Sequence, residues 1–402
     1  MSKLVLAINS GSSSLKFKLF KVPSEKVITS GLFERITQKM GAFRIKTETG
    51  EVRRELPLPN HEVAVNVLTK ALIEFKIVKS LDEINAVGHR VVQGGKYYND
   101  SVEFTDEVAA MVEKLSPFAP LHNPANLTGY EAFKKILPDA LHVAVFDTSY
   151  HQTMAPEDYL FPIPYEYYEK YDIRRYGAHG TSHKFIADEV TKINKGKPCN
   201  LIVCHLGNGA SITAVKDGKC VATSMGFTPL GGIMMGTRTG DLDPSVFYFV
   251  SKLEDKSPEE VYDMFNKKSG MLGVSGISSD ARDVENALLQ GNERAKHTFD
   301  LYSRRVADYI GQYHIRLGGT DTIVFTAGIG ENVPGIRKQI IDKVKDAMGI
   351  EFDDEQNSLT RGGIYGLLST KNSKVKVYVI PTDEELMIVR DCVRIAENKK
   401  KK

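Results

Sequence analysis

Short apolar runs alternate along the chain with segments of helical spacing, which is the pattern of an α/β protein. Residues 4–8 form an unbroken apolar run and predict a buried strand. Residues 15–20 set Leu15, Phe17 and Leu19 against Lys16 and Lys18, which predicts a strand with one polar face. Over 61–75, Val63, Val67 and Leu68 fall at helical spacing, and 84–87 and 141–146 predict further strands. Asn123 followed by Pro124 reads as a helix cap with proline at the first helical position, opening a helix towards Leu137.

After Asp147 the chain becomes loop-rich, with Pro156, Pro162 and Pro164 among five tyrosines between 159 and 171, so a domain boundary is expected near 150. Residues 201–206 and 211–216 then predict two strands around the turn Gly207-Asn208-Gly209. Asp217-Gly218 is a hairpin signal leading into 220–224. Helices are expected over 280–290, 293–317, 332–348 and 384–398, and strands over 322–326 and 375–380. The order strand, Gly/Ser loop, strand over 4–20 recurs over 201–216, which suggests a duplicated α/β domain. Each loop would offer backbone N–H groups to a phosphate, although a strand–glycine turn–strand also fits an ordinary hairpin.

Composition narrows the class. A chain of 402 residues, 42% apolar and 26% charged, can bury the cores of two or three domains. A net charge of +2 gives no electrostatic case for nucleic acid. The lysine tail over 399–402 reads as a solvated, frayed terminus. The four cysteines, at 199, 204, 220 and 392, form no Cys-x-x-Cys pair, and Cys204 sits in an apolar run as a core residue. The N-terminal apolar stretch is too short for a signal peptide, and no run reaches the roughly 18 apolar residues of a membrane span. A soluble cytoplasmic protein without disulfides is expected.

The candidate chemistry lies in the loops. In 9–16, Gly11 permits a tight backbone, Ser12 and its neighbours supply hydroxyls, and Lys16 supplies a point charge. These suit phosphate oxygens and equally suit a polar hairpin; no Walker A pattern occurs in the chain. Arg90 follows a strand in Gly88-His89-Arg90, where a surface salt bridge is the competing reading. Arg238 lies in a Gly/Thr-rich loop, and a guanidinium there is a good clamp for carboxylate or phosphate. Asp147 ends a strand, where α/β sheets hold ligands. His179 and His183 have the spacing of a zinc pair, but Gly180, Thr181 and Ser182 point to a loop and helix cap. His122 fits a core, a cap or a functional role. Residues 327–332 resemble a dinucleotide turn, yet the next glycine, Gly335, comes too late, so a nucleotide-contacting turn fits better.

Taken together, the segments 9–16, 88–92, 146–148, 151–153, 175–183, 205–209, 226–244, 280–282, 328–332 and 381–386 resemble the acetate kinase family in order and spacing. The resemblance implies two related actin-like (ribonuclease H-like) α/β domains with a nucleotide cleft between them. The first would span 1–149, completed by a C-terminal helix over 384–402, and the second, nucleotide-binding, 150–383. It implies a homodimer acting on acetate and ATP, giving acetyl phosphate and ADP by direct transfer, with Mg2+ as cofactor and Mn2+ able to substitute. Carried over by position, Asn9 and Glu384 match the metal site. Ser12, Lys16, His205, Leu206, Gly207, Asn208, Gly209, Asp280, Ala281, Arg282, Gly328, Ile329, Gly330, Glu331 and Asn332 match ATP contacts. Arg90 matches the carboxylate-binding arginine, and Asp147, His179, Arg238 and His122 the catalytic set.

The chain departs from the family pattern at Gln93, where many members carry histidine, and at Ala178, where many carry phenylalanine. In the family Ala178 belongs with Val92, Leu121 and Pro229 to the pocket for the substrate methyl, so a smaller side chain there puts strict acetate preference in doubt. A carboxylic acid of pKa about 4.3 is already ionised at neutral pH. Asp147 then has no proton to remove and is expected to orient an arginine or a metal-bound water. The rival readings are a propionate- or butyrate-directed kinase, an actin-like ATPase and, more remotely, a nicotinamide-dependent dehydrogenase.

Overall fold

A computed structural model describes residues 3–120 and 122–401. The chain divides into two compact units, one formed by Met1–Gln152 with Asp383–Lys402 and one by Thr153–Thr382.

The first unit is built on an eight-stranded sheet of order β5-β4-β3-β2-β1-β6-β8-β7. Its strands are β1 Lys3–Ser10, β2 Ser14–Val22, β3 Lys26–Glu34, β4 Gly41–Thr47, β5 Gly50–Leu56, β6 Ile84–Val91, β7 Val102–Glu103 and β8 Leu141–Phe146. β1, β2 and β3 run antiparallel in succession, whereas β1, β6 and β8 are parallel. The alternation read in β2 is the packing code: Leu15, Phe17 and Leu19 are buried in one core with Leu6, Ile8, Leu68 and Phe133. That core lies under the helices His61–Glu74 and Asn123–Ile136. The opposite face packs Val5, Ala7 and Val145 against Ile388, Val389 and Cys392 of the terminal helix Glu384–Lys401. Contact there is backbone-close, because a β-carbon on Gly88 would stand 2.3 Å from Ile388 Cγ2 and 2.6 Å from Cys392 Sγ.

The second unit carries a six-stranded sheet of order β11-β10-β9-β12-β14-β13. Its strands are β9 Leu201–Leu206, β10 Ala210–Lys216, β11 Lys219–Thr223, β12 Thr322–Thr326, β13 Gly366–Leu367 and β14 Lys376–Val379. Again three strands are antiparallel in succession and β9, β12 and β14 are parallel. The sequence β11-β10-β9-β12-β14 therefore repeats β3-β2-β1-β6-β8 in order and direction. The duplication suggested by two strand–loop–strand units extends to the whole central sheet. Cys204 lies in this unit's core with Phe299, Tyr302 and Ile340.

Some local expectations differ from the structure. Asn123 is not the helix cap: His122 holds that position, and Asn123 is the first helical residue. Its buried amide instead accepts from the Gln93 N–H at 3.0 Å and donates to the Gln93 carbonyl at 3.0 Å, a tertiary bond that outcompetes the local cap. The lysine tail does not fray after 398, since the helix continues to Lys401 and Lys399 Nζ reaches Glu103 Oε1 at 2.6 Å. The helix expected over 332–348 begins at Pro334 and runs to Met348, and a separate short helix, Ala327–Asn332, ends just before Val333 and the proline.

Candidate functional site

In the first unit the carboxyl ends of β1, β6 and β8 and the first turn of the terminal helix bring four polar side chains together. Arg90 Nε donates to Asp147 Oδ2 at 2.9 Å, Arg90 Nη2 bonds the same oxygen, and Nη1 donates to Asn9 Oδ1 at 3.2 Å. Glu384 Oε2 lies 3.9 Å from Arg90 Nε. Asp147 is buried, and its own N–H donates to the Val91 carbonyl at 2.9 Å. Burial pushes the Glu384 carboxyl up to about 7, the Asp147 and Glu385 charges push the same way, and Arg90 opposes them. A carboxylate so crowded favours a cation.

The donors offered to that cation are hard oxygens from an amide and a carboxylate. Among the described residues no group of three His, Cys, Asp or Glu side chains forms a metal cage. Mg2+ suits this set, because it keeps several waters and uses one or two carboxylates.

Lys16, on the polar face of β2, extends its ammonium to 2.6 Å from Glu385 Oε1. Lys18 on the same face lies 2.8 Å from Asp383 Oδ1 and 3.1 Å from Glu385 Oε2. Burial alone would raise the Glu385 carboxyl, but Lys16 and Lys18 hold it below its usual value. Ser12 stands exposed in the β1–β2 turn, which closes through Gly11 N–H to the Ser14 carbonyl at 2.8 Å. The hairpin and phosphate readings of this loop are thus compatible. Val92 is buried and its N–H donates to Asn126 Oδ1 at 3.1 Å. His122 caps its helix through the backbone, and Leu121 lies outside the described residues.

The second unit holds the other set. His179 caps the helix Gly180–Ile193 in a left-handed conformation, with φ 58°. Its Nδ1 lies 2.9 Å from Ser211 Oγ, and its ring stacks on His205 at 4.2 Å. His183, one turn along, places Nε2 2.7 Å from the same hydroxyl. One nitrogen of each histidine therefore faces the same serine hydroxyl. His205 Nδ1 lies 2.8 Å from Ser182 Oγ, which reaches Thr382 Oγ1 at 2.8 Å.

The turn Gly207-Asn208-Gly209 sits beneath these rings. A β-carbon on Gly209 would stand 3.4 Å from His179 Nε2 and 3.5 Å from Arg238 Nη1, so an imidazole nitrogen and a guanidinium nitrogen flank one point of the turn. A β-carbon on Gly236 would stand 1.9 Å from Asn208 Oδ1, so the arginine loop lies close against the Asn208 side chain, which a larger residue would push aside. Arg238 Nη1 donates to the Pro229 carbonyl at 3.1 Å, and no carboxylate pairs with Arg238 among the described residues. Burial pulls its pKa below the ordinary value, with Tyr262 opposing.

A cavity of about 410 Å³ opens among Asn208, the 280–282 turn and the 328–332 turn. Asp280 caps the helix Ala281–Leu289, accepting from Arg282 N–H at 2.9 Å, and binds the Arg282 guanidinium. Space around the Gly328 α-carbon is open, whereas a β-carbon on Gly330 would touch Phe325 and Cys204 backbone. Gly328 thus borders open space and Gly330 serves packing.

Several carried-over residues are buried or turned back onto the chain. Leu206, Ala281 and Ile329 are buried in the core of this unit, and so is Ala178. The Glu331 carboxylate points back to the chain, accepting from Ala327 N–H at 2.9 Å and Thr382 N–H at 3.3 Å. Asn332 Nδ2 closes the turn onto the Gly328 carbonyl at 2.8 Å.

Sequence reasoning missed the residues that aim these groups. Ser211 looks like any small residue in a strand. Glu385 hides beside Glu384, although Lys16 and Lys18 on one face of β2 were a signal for a buried acid. Arg337 is fully buried and donates to the Gly330 carbonyl at 2.9 Å; an arginine inside a helical pattern gave no sign of this.

The chain matches the family described as "Acetokinase family" over residues 4–390. It is 50% identical over 401 residues to an acetate kinase of Bacillus velezensis, covering 99% of this chain and 100% of that protein. It is 52% identical over 399 residues to an acetate kinase of Bacillus cytotoxicus, covering 98% and 99%. Among solved structures, acetate kinase of Porphyromonas gingivalis superposes with a TM-score of 0.93 at 42% identity, over 98% of this chain and 100% of that one. A propionate kinase from Francisella tularensis superposes with a TM-score of 0.91 at 41% identity, over 97% and 98%.

Proposed function

The chain belongs to the acetokinase family, and from that premise we propose that it reversibly transfers a phosphoryl group between ATP and acetate, giving acetyl phosphate and ADP. The observation that carries the reading is Arg238. A mostly buried guanidinium with no carboxylate partner among the described residues, beside His179 Nε2, calls for an anion from outside the chain.

Phosphoryl transfer needs alignment and positive charge more than covalent help. Arg90 holds the acetate carboxylate, and Val92, Leu121, Ala178 and Pro229 surround its methyl. One acetate oxygen attacks the γ-phosphorus while the β–γ bridging P–O bond breaks, and ADP leaves with that electron pair. Arg238 and His179 stabilise the equatorial oxygens, where charge spreads in the transition state, and His122 supports the set. Ser12 and Lys16 neighbour the phosphates. His205, Leu206, Gly207, Asn208 and Gly209, with Asp280, Ala281 and Arg282 and with Gly328, Ile329, Gly330, Glu331 and Asn332, receive the nucleotide, in part through backbone groups. Asn9 and Glu384 hold Mg2+, for which Mn2+ can substitute; the ion neutralises phosphate charge. Asp147 orients Arg90 and does not act as a base, in keeping with the bonds between them.

We place the protein in the cytoplasm as a homodimer. No described helix is long and apolar enough to cross a membrane. The helix Ser245–Glu254 buries none of its residues and exposes Tyr248, Phe249 and Leu253, an apolar face that a second copy would cover.

The test is incubation with MgATP and acetate, propionate or butyrate, trapping acyl phosphate with hydroxylamine. The expected order of kcat/KM is acetate, then propionate, then butyrate. ATP turnover indifferent to any carboxylate would overturn the reading in favour of an ATPase. Ala178, small where a ring is common, favours propionate-directed activity as the second reading, which propionate exceeding acetate in this assay would establish.

A further inference from the structure

We propose that Ser211 is a positioning residue that fixes which nitrogen of His179 carries its proton, by relaying a hydrogen bond from His183. The inference rests on the reading that His179 donates to the transferred phosphoryl group.

The geometry is a three-membered chain. Ser211 Oγ lies 2.7 Å from His183 Nε2 and 2.9 Å from His179 Nδ1. Ser211 is fully buried on β10, so water does not compete for these bonds. A hydroxyl has one proton, so it can donate to only one of the two rings and must accept from the other. The polarity of the chain is therefore a single choice that sets both tautomers.

The surroundings of His179 decide that choice. Its Nε2 and Arg238 Nη1 lie 3.4 and 3.5 Å from one point above Gly209. A phosphoryl oxygen received there needs a proton on Nε2. An imidazolium would provide one, but a second cation beside the buried Arg238 is disfavoured by like charge and lost solvation. The neutral ring provides it only if Nδ1 is an acceptor. Ser211 must then donate to His179 Nδ1 and accept from His183 Nε2–H. The backbone supports the arrangement, because the left-handed conformation of His179 and its stacking on His205 leave the ring little freedom to turn.

The first measurement is the tautomer of His179, read by long-range nitrogen–proton correlation on histidine-labelled protein, with signals assigned by His179→Gln and His183→Gln. Wild type is expected to show His179 neutral with its proton on Nε2, and Ser211→Ala to show a different or mixed tautomer. The second is steady-state kinetics. Ser211→Ala is expected to lower kcat about tenfold to a hundredfold with KM for ATP nearly unchanged, less than the ~10²–10³ lost with a transition-state donor itself. Ser211→Thr, which keeps the hydroxyl, is expected to recover most of the rate. A proton on His179 Nδ1 in wild type overturns the proposal, as does Ser211→Ala losing rate with the tautomer unchanged. If the tautomers behave as expected but His179→Gln keeps full kcat, the relay stands and the assignment of His179 to the phosphoryl group falls.

Discussion

Gly88 offers a test of how the terminal helix is held on the first sheet. In Gly88→Ala the new methyl would stand 2.3 Å from Ile388 Cγ2 and 2.6 Å from Cys392 Sγ. Carbon atoms prefer separations of about 3.5–4.0 Å, so the helix or the Ile388 side chain must retreat by roughly 1 Å or more. Ile388 is fully buried in that core, so it cannot swing into solvent. Overpacking of this kind costs about 1–3 kcal/mol. For a domain of about 150–250 residues each kcal/mol lowers Tm by roughly 2–4 °C, so a fall of about 2–12 °C is expected by calorimetry. The helix begins at Glu384, so its displacement should also raise the Mg2+ concentration needed for half-maximal rate. Ile388→Ala alone leaves a cavity and destabilises, but in the double variant the two changes should compensate, with a coupling of at least about 1 kcal/mol in a double-mutant cycle. An unchanged Tm in Gly88→Ala, or strict additivity in the cycle, would refute the argument.

Three further outcomes follow from the same geometry. Asp147→Asn removes the ionic anchor of Arg90, and kcat/KM for acetate should fall about ten- to a hundredfold, the scale of one charge-assisted hydrogen bond; near-normal rates at saturating Mg2+ would show that the anchor is dispensable. Ala178→Phe should reduce propionate use more than acetate use, within the ~1–3 kcal/mol that one methylene allows; equal losses, measured as kcat/KM ratios, would count against a role for this position in substrate choice. His89 is held well below the ordinary histidine value by burial and then by His142, with Nε2 3.0 Å from His142 Nδ1. The unfolded chain therefore takes up protons first, and stability should be full above about pH 6.5 and decline as pH falls further. His89→Gln should flatten the fall of Tm between pH 7 and 5.5, and an unaltered slope would rule the pair out as its source.

What the sequence made legible follows how locally each feature is determined. β1, β9 and β12 are short apolar runs bounded by polar or glycine residues, and such runs have few other fates. β5, Gly-Glu-Val-Arg-Arg-Glu-Leu, is an exposed edge strand whose burial pattern carries no alternation, and it escaped notice. Asn123 was misread because its amide serves Gln93, thirty residues away in the chain, and no local pattern reports such a bond. The chemical groups of the site stood out as arginine, aspartate and histidine in glycine-rich surroundings. The residues that aim them did not: Glu385 behind Lys16, Ser211 between two imidazoles, and Arg337 under Gly330 owe their roles to tertiary placement.

The bonds around Arg90 bear on how tightly a carboxylate can be held. A guanidinium has five N–H donors. Asp147 takes one from Nε and one from Nη2, and Asn9 takes one from Nη1, which leaves two for a ligand. If acetate binds at Arg90 as proposed, it would meet a cation whose charge Asp147 already balances, and its attachment would rest on two hydrogen bonds and not on a full ionic attraction. Occupancy would then track the surrounding acetate concentration, with neither acetate nor acetyl phosphate trapped. An enzyme that leaves both partners loosely held can run towards ATP or towards acetyl phosphate as their concentrations dictate.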